Sequence, residues 1–251
     1  MPHLFRTIIG IMLTVALLTT SGCATLFNSV NFKNAPRDSF VKVEVMTDEM
    51  VANGSGVIIH HNDNLNTLIL TAGHICKPNT IALRVLDLYE NTFNAVSFIV
   101  SNEDDLCVIT VEGKINGRAL KVADKEPEIG DHVYNIAAPV GIHAPNMALM
   151  FDGYYEGRVA IPAEKYPLDV YNVPGVGGSS GSPIFNDNWE IVGVISRGMV
   201  GFQHVMLAVN QERTKNFYDY IFSDRFKVDS IKATEQYNKK LLEFMGKLLG
   251  P

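Results

Sequence analysis

Between Pro174 and Phe185 the chain reads P-G-V-G-G-S-S-G-S-P-I-F, a turn crowded with glycine and serine and followed by the apolar run Ile191–Ile195. Glycine admits positive φ and lets backbone N–H groups approach a bound atom with no Cβ in the way. A serine set among such N–H groups has two requirements of acyl transfer: a nucleophile, and donors for the oxyanion that develops. The third requirement is a base held by a carboxylate. His74 closes the run Leu70-Thr71-Ala72-Gly73-His74, and Asp104-Asp105 open the run Leu106-Cys107-Val108-Ile109. Each of these features also has a plainer reading: a flexible loop, a structural histidine, a solvated acidic turn. Taken together, His, Asp and Ser in that order, each beside an apolar run, match the logic of a Ser-His-Asp triad.

Such residues can meet only if a rigid scaffold holds them, and the rest of the chain reads as short strands. Phe40–Val45 alternates with period two, as a half-buried strand does. Gly54–Ile59, Thr67–Thr71, Ile81–Leu88, Ala95–Ser101, Leu106–Val111, Asp131–Ala137 and Gly153–Ile161 read as further strands between turn signals. No helical pattern occurs before Val209. An all-β barrel or sandwich follows. The 251 residues suffice for a well-buried core, and with 47% apolar and 19% charged residues the chain is globular. A formal net charge of −6 without a basic cluster argues against a nucleic-acid partner.

Three motifs carry a family resemblance. T-A-G-H at 71–74, D-L-C-V-I at 105–109 and G-S-S-G-S-P at 178–183 resemble the triad motifs of chymotrypsin-fold serine proteases, in particular the HtrA (Deg) protease domain. Two weaker matches join them, Ile136–Gly141 and Val192–Gly198. The resemblance runs from about residue 40 to 210. It implies two six-stranded antiparallel β-barrels with C-terminal helices, and a serine endopeptidase acting through an acyl-enzyme. It implies Ser180 as nucleophile, His74 as general base, Asp105 as its orienting carboxylate, the N–H groups of Gly178 and Ser180 as oxyanion hole, and Ser196 as a further partner of Asp105. No cofactor is implied, and the remaining histidines lack the spacing of a metal site, so no metal is assigned. Ser179 stands where zymogen-activated relatives keep an aspartate, so activation by N-terminal cleavage is not required. The stretch after Val209 is too short for the PDZ domain that HtrA proteins generally carry. A protease fold that binds peptides without turning them over is the alternative, and the same triad would also serve a non-peptide ester.

The same resemblance places the pocket for the side chain before the scissile bond between the segment Tyr171 to Gly175, with Pro174 where trypsin-like enzymes keep an aspartate, and the strand Ser196-Arg197-Gly198. With no acidic residue on those walls, basic side chains should be rejected, leaving small or medium apolar ones such as Val, Ala or Leu. His74 and Asp105 must meet within about 3 Å, which draws Cys76 and Cys107 together; in an exported protein they should form a disulfide.

Export is read from the N-terminus. Arg6 precedes the apolar run Ile8–Leu18, too short for a stable membrane span. Thr19-Thr20-Ser21-Gly22-Cys23 then resembles the lipobox of bacterial lipoproteins, although Thr20 stands where leucine is usual; an ordinary secretory cleavage site is the alternative. The division is therefore a signal peptide over 1–22, a polar tether over 23–38 beginning at a lipidated Cys23, a protease domain over 39–222 and an amphipathic C-terminal helix over 223–251. The membrane partner is the lipid at Cys23, and the location is the periplasmic face of the cell envelope. The last helix places Tyr237, Leu241, Phe244, Met245 and Leu248 on one face, suited to packing on the barrel or to docking elsewhere.

Overall fold

Val41, Val43 and Val45 are buried and Lys42 and Glu44 only half so along β1 (Phe40–Met46), because successive side chains leave a strand on opposite faces. The computed structural model describes residues 32–249 except 49, 63–65, 78, 102, 163 and 200. The signal peptide, Cys23 and most of the tether lie outside the described residues. The chain divides into a unit ending at Ala35, of which Phe32–Asn34 form a short 3₁₀ turn, and a unit from Pro36 onward.

In the second unit β1 pairs with β2 (Val51–His61), β2 with β3 (Thr67–Ala72), β3 with β6 (Leu106–Val111), β6 with β5 (Thr92–Ser101), and β5 with β4 (Ala82–Leu86), which returns to β1 and closes a barrel. A second barrel closes through β7 (His132–Ala137), β8 (Leu149–Val159), β9 (Leu168–Tyr171), β12 (Phe202–Val209), β11 (Ile191–Met199) and β10 (Pro183–Phe185). Every pairing is antiparallel. Two closed six-stranded barrels and two C-terminal helices make this the chymotrypsin-like fold. Closure removes the unpaired edges that open sheets must otherwise protect.

Several boundaries differ from the sequence reading. β4 stops at Leu86 because the buried Asp87 turns the chain, its Oδ1 accepting from the N–H groups of Tyr89 (2.8 Å) and Asn91 (2.9 Å). β8 starts at Leu149 rather than 153, since its pairing with β7 extends the strand as far as Ala137↔Leu149. The short β9 and β10 and the run β12 complete the second barrel.

Helix α1 (Gln211–Ile221) is capped by Asn210, whose side chain accepts from the Arg213 N–H at 3.0 Å. Helix α2 (Asp224–Leu249) follows directly. Tyr237 is the residue that seats α2: it is buried in the core of the first barrel, stands edge-on to Phe98, and its hydroxyl accepts from Leu83 N–H at 2.9 Å. Met245 is 47% exposed and leaves the face it was expected to share with Tyr237.

Candidate active site

The site begins with a strand register. Thr71 and Ala72 of β3 lie opposite Cys107 and Leu106 of β6, so the residues that follow β3 meet the residues that precede β6. Gly73 N–H donates to the Asp105 carbonyl at 2.8 Å. A Cβ on Gly73 would stand 2.9 Å from the Asp105 carbonyl carbon, so only glycine permits this approach. Asp105 takes φ of +52°, a left-handed conformation that aspartate tolerates better than most residues. One turn further, Cys76 and Cys107 are joined by a disulfide with Cα atoms 6.5 Å apart. The two segments carrying His74 and Asp105 are therefore tied by backbone, register and covalent bond.

Asp105 is held by four contacts. Its Oδ1 accepts from the backbone N–H of His74 at 2.7 Å, both carboxylate oxygens lie 3.0 Å from His74 Nδ1, and Oδ2 accepts from Ser196 Oγ at 2.5 Å. Burial raises the Asp105 pKa, but the hydrogen bonds and charge of His74 and the bond from Ser196 outweigh it, leaving the carboxyl below its ordinary value. An ionised acceptor at Nδ1 keeps the proton on that nitrogen and leaves Nε2 free to act as base.

Ser196 reaches Asp105 because of a bulge. The β11–β12 register runs Ile195↔Ala208 and then Arg197↔Leu207, so Ser196 has no partner and the strand bends there. The same bend directs the Ser196 carbonyl at the loop that carries Ser180, where it accepts from Ser180 Oγ at 3.4 Å. Ser180 Oγ has no hydrogen bond to His74 in this state, although both side chains line one cleft of about 460 Å³.

The loop that carries Ser180 is clamped from several sides. Ser55 of β2 is fully buried; its N–H donates to the Ser180 carbonyl and its Oγ to the Gly178 carbonyl, both at 2.8 Å. That Oγ also accepts from Ala138 N–H at 2.9 Å. The Gly177 carbonyl accepts from Val140 N–H at 2.6 Å, and a trans peptide then points the Gly178 N–H away from Val140. Gly178 has φ of +98°, and a Cβ there would meet the Ala138 carbonyl oxygen at 2.5 Å, so the loop depends on glycine at this point. Among the described residues neither Gly178 N–H nor Ser180 N–H has an internal acceptor. Ser179, standing in place of an aspartate, accepts from Val176 N–H at 3.3 Å, and its own carbonyl accepts from Ser182 Oγ at 2.7 Å. Asn135 of β7 in turn donates to Ser182 Oγ at 2.8 Å. The loop is thus ordered by neutral hydrogen bonds rather than by a buried ion pair.

Residues 54–194 match the trypsin-like peptidase domain. The chain belongs to the trypsin-like peptidase family. It is a serine peptidase with the chymotrypsin fold, and its substrates are proteins or peptides. The peptidase is similar in fold to the active form of the Rv3671c protease from M. tuberculosis, with a TM-score of 0.60 and 17% identity over 72% of this chain and 79% of that one. It is similar to the serine endoprotease from Yersinia pestis (TM-score 0.60, 19% identity, 76% and 65% covered). It also resembles the HtrA-type protease AlgW with tripeptide (TM-score 0.63, 16% identity, 76% and 62% covered). No curated protein sequence matches the chain significantly.

Of the expected pocket residues, Ser196, Arg197 and Gly198 of the peptidase line the cleft; Pro174 is not among the lining residues, and the facing wall begins one residue later at Gly175. Arg197 forms an ion pair at 2.5 Å with Glu164, from the loop before β9. Ser55, Asn135, Glu164 and Met206 were not singled out from the sequence. Ser55, Asn135 and Glu164 lie far along the chain from the segments they support, Met206 is the register partner of Gly198 across the β11–β12 hairpin, and none belongs to a recognisable motif.

Proposed function

We propose that this peptidase is an endopeptidase that acts through Ser180, His74 and Asp105 and works at the cell envelope, tethered by a lipid on Cys23. The observation that carries the catalytic part is Asp105: a carboxylate kept ionised and aimed at His74 Nδ1, in a cleft shared with Ser180. In this reading Ser180 Oγ turns from the Ser196 carbonyl toward His74 Nε2, which takes its proton as Oγ attacks the substrate carbonyl carbon. The oxyanion accepts from Gly178 N–H and Ser180 N–H, each donor contributing about 3 kcal/mol of transition-state stabilisation. The imidazolium, stabilised by Asp105, then protonates the leaving amine, and water repeats the sequence on the acyl-enzyme. Ser179 in place of an aspartate supports a loop that is competent without N-terminal cleavage.

The test is labelling of the full chain with a serine-reactive fluorophosphonate. Wild type should label and cleave peptides, and Ser180→Ala should do neither while its melting temperature stays nearly unchanged. A second reading, a peptide-binding module of low turnover, is favoured by the 3.4 Å bond from Ser180 Oγ to a carbonyl rather than to His74. Wild-type protein that binds peptides but neither labels nor cleaves them would establish it. For the tether, Cys23→Ser should move the protein from the detergent phase to the aqueous one; unchanged partitioning would remove the lipid anchor.

A further inference from the structure

The two glycines that face each other across the cleft leave a gap, and a side chain of the protein already fills it. Gly175 stands on the wall before the nucleophile and Gly198 on the strand that follows it. A methyl added at Gly175 would come within 2.5 Å of Met206 Sδ, and one added at Gly198 within 2.9 Å of Met206 Cε. Neither glycine has positive φ, and at both positions the nearest atoms a side chain would meet are those of the Met206 thioether. Met206 is 2% exposed, belongs to the core of the second barrel, and lines the same cleft as Ser180 and His74. Glycines on both walls would otherwise open a deep slot for a large side chain. Here that depth is occupied from below.

We infer that Met206 forms the floor of the pocket that receives the side chain before the scissile bond and limits it to short apolar residues such as alanine or valine. This inference rests on the peptidase reading of the site and adds the residue that sets its size preference. A phenyl ring reaches several ångströms deeper than a valine, into space held by the Met206 sulfur and methyl, and the barrel core behind them is packed too densely to retreat. Charged side chains fare no better. Arg197 on the wall is paired with Glu164, so a buried cation or anion from the substrate would have no unpaired partner there.

The experiment uses six-residue peptides that differ only in the residue before the scissile bond: Ala, Val, Leu or Phe. Cleavage is measured with the full-length protein, and binding with its Ser180→Ala variant, which reads the pocket without the chemistry. Ala and Val peptides should exceed Phe by about tenfold or more, the scale on which a hydrophobic pocket discriminates size. Met206→Ala should narrow or invert that ratio, and Met206→Val should shift it the same way by less. A melting curve for each variant checks its fold, and Met206→Val carries the test if Met206→Ala is unfolded. Equal use of Phe and Ala by the wild-type pocket, or a ratio unchanged in the folded variants, would overturn the inference. Failure of fluorophosphonate labelling with the binding ratio intact would instead remove the catalytic reading and leave Met206 as the floor.

Discussion

Ser55→Ala isolates the part of the catalytic geometry supplied by the first barrel. The substitution deletes one oxygen that donates to Gly178 O at 2.8 Å and accepts from Ala138 N–H at 2.9 Å. Ser55 and Ala138 are shut off from solvent, so the Ala138 N–H cannot turn to water in place, whereas Gly178 is partly exposed. Leaving the buried Ala138 donor unmatched costs about 1–3 kcal/mol and the partly exposed Gly178 acceptor about 1–2 kcal/mol, roughly 2–5 kcal/mol in stability together. For a domain of this size that is a fall in Tm of roughly 5–15 °C. The catalytic effect is separate. The Ser55 backbone N–H still holds the Ser180 carbonyl, so the Ser180 donor keeps its place, whereas the Gly178 peptide loses one of its restraints. Loss of one oxyanion donor lowers kcat by about 10²–10³; a peptide that is loosened but still populated should fall toward the lower end, with KM little changed. Peptide hydrolysis measured well below the variant's Tm separates the two effects. A variant whose kcat stays within about threefold of wild type, with Tm lowered, would show that the Ser55 hydroxyl holds the fold and does not position the oxyanion donors.

Reducing the Cys76–Cys107 bond, which spans 31 residues, should lower stability by roughly 3–4 kcal/mol on the chain-entropy estimate; calorimetry with and without reductant measures this, and an unchanged Tm would contradict it. Asp105→Asn should reduce kcat by about 10⁴-fold, because the amide favours the wrong tautomer of His74; steady-state kinetics will show it, and a loss below tenfold would contradict the assigned role. The same carboxyl has a folded pKa below its unfolded one, so it stabilises the protein above about pH 3.9 and that contribution disappears as pH falls through the lower folded value. The stability gap between wild type and Asp105→Asn in urea titrations should therefore close below about pH 4. Glu164→Gln should release Arg197 on the cleft wall and raise cleavage of peptides carrying an acidic residue near the scissile bond; a peptide-library digest unchanged from wild type would show that Arg197 does not face the substrate.

The segments that meet at the candidate site were legible because each is short and carries its own pattern. T-A-G-H, D-L-C-V-I and G-S-S-G-S-P each combine a strand end with a residue type the reaction needs, and the period-two runs around them identify the strands. Even the cysteine pairing could be read, since Cys76 and Cys107 each lie two residues beyond a side chain of the same constellation. Strand ends were less legible. β8 begins where β7 can pair with it, a property of the partner rather than of residues 149–152. Likewise Met245 has the helical spacing of a core residue, yet α2 turns Tyr237 into the barrel core and leaves Met245 exposed.

What only the tertiary structure decided are contacts between residues far apart in sequence that carry no pattern of their own. Ser55 lies 123 positions before the Gly178 carbonyl it binds. Asn135 reaches a serine 47 positions later, and Glu164, in the loop before β9, pairs with an arginine of β11. Met206 reads in sequence as one more apolar residue of a strand; the β11–β12 hairpin sets it opposite Gly198, and only the pairing of β12 with β9 brings Gly175 against it as well. Periodicity reports which face of an element is apolar. It carries no information on which residue of a distant element fills the space between two glycines, because that depends on barrel closure, on register and on the bulge at Ser196.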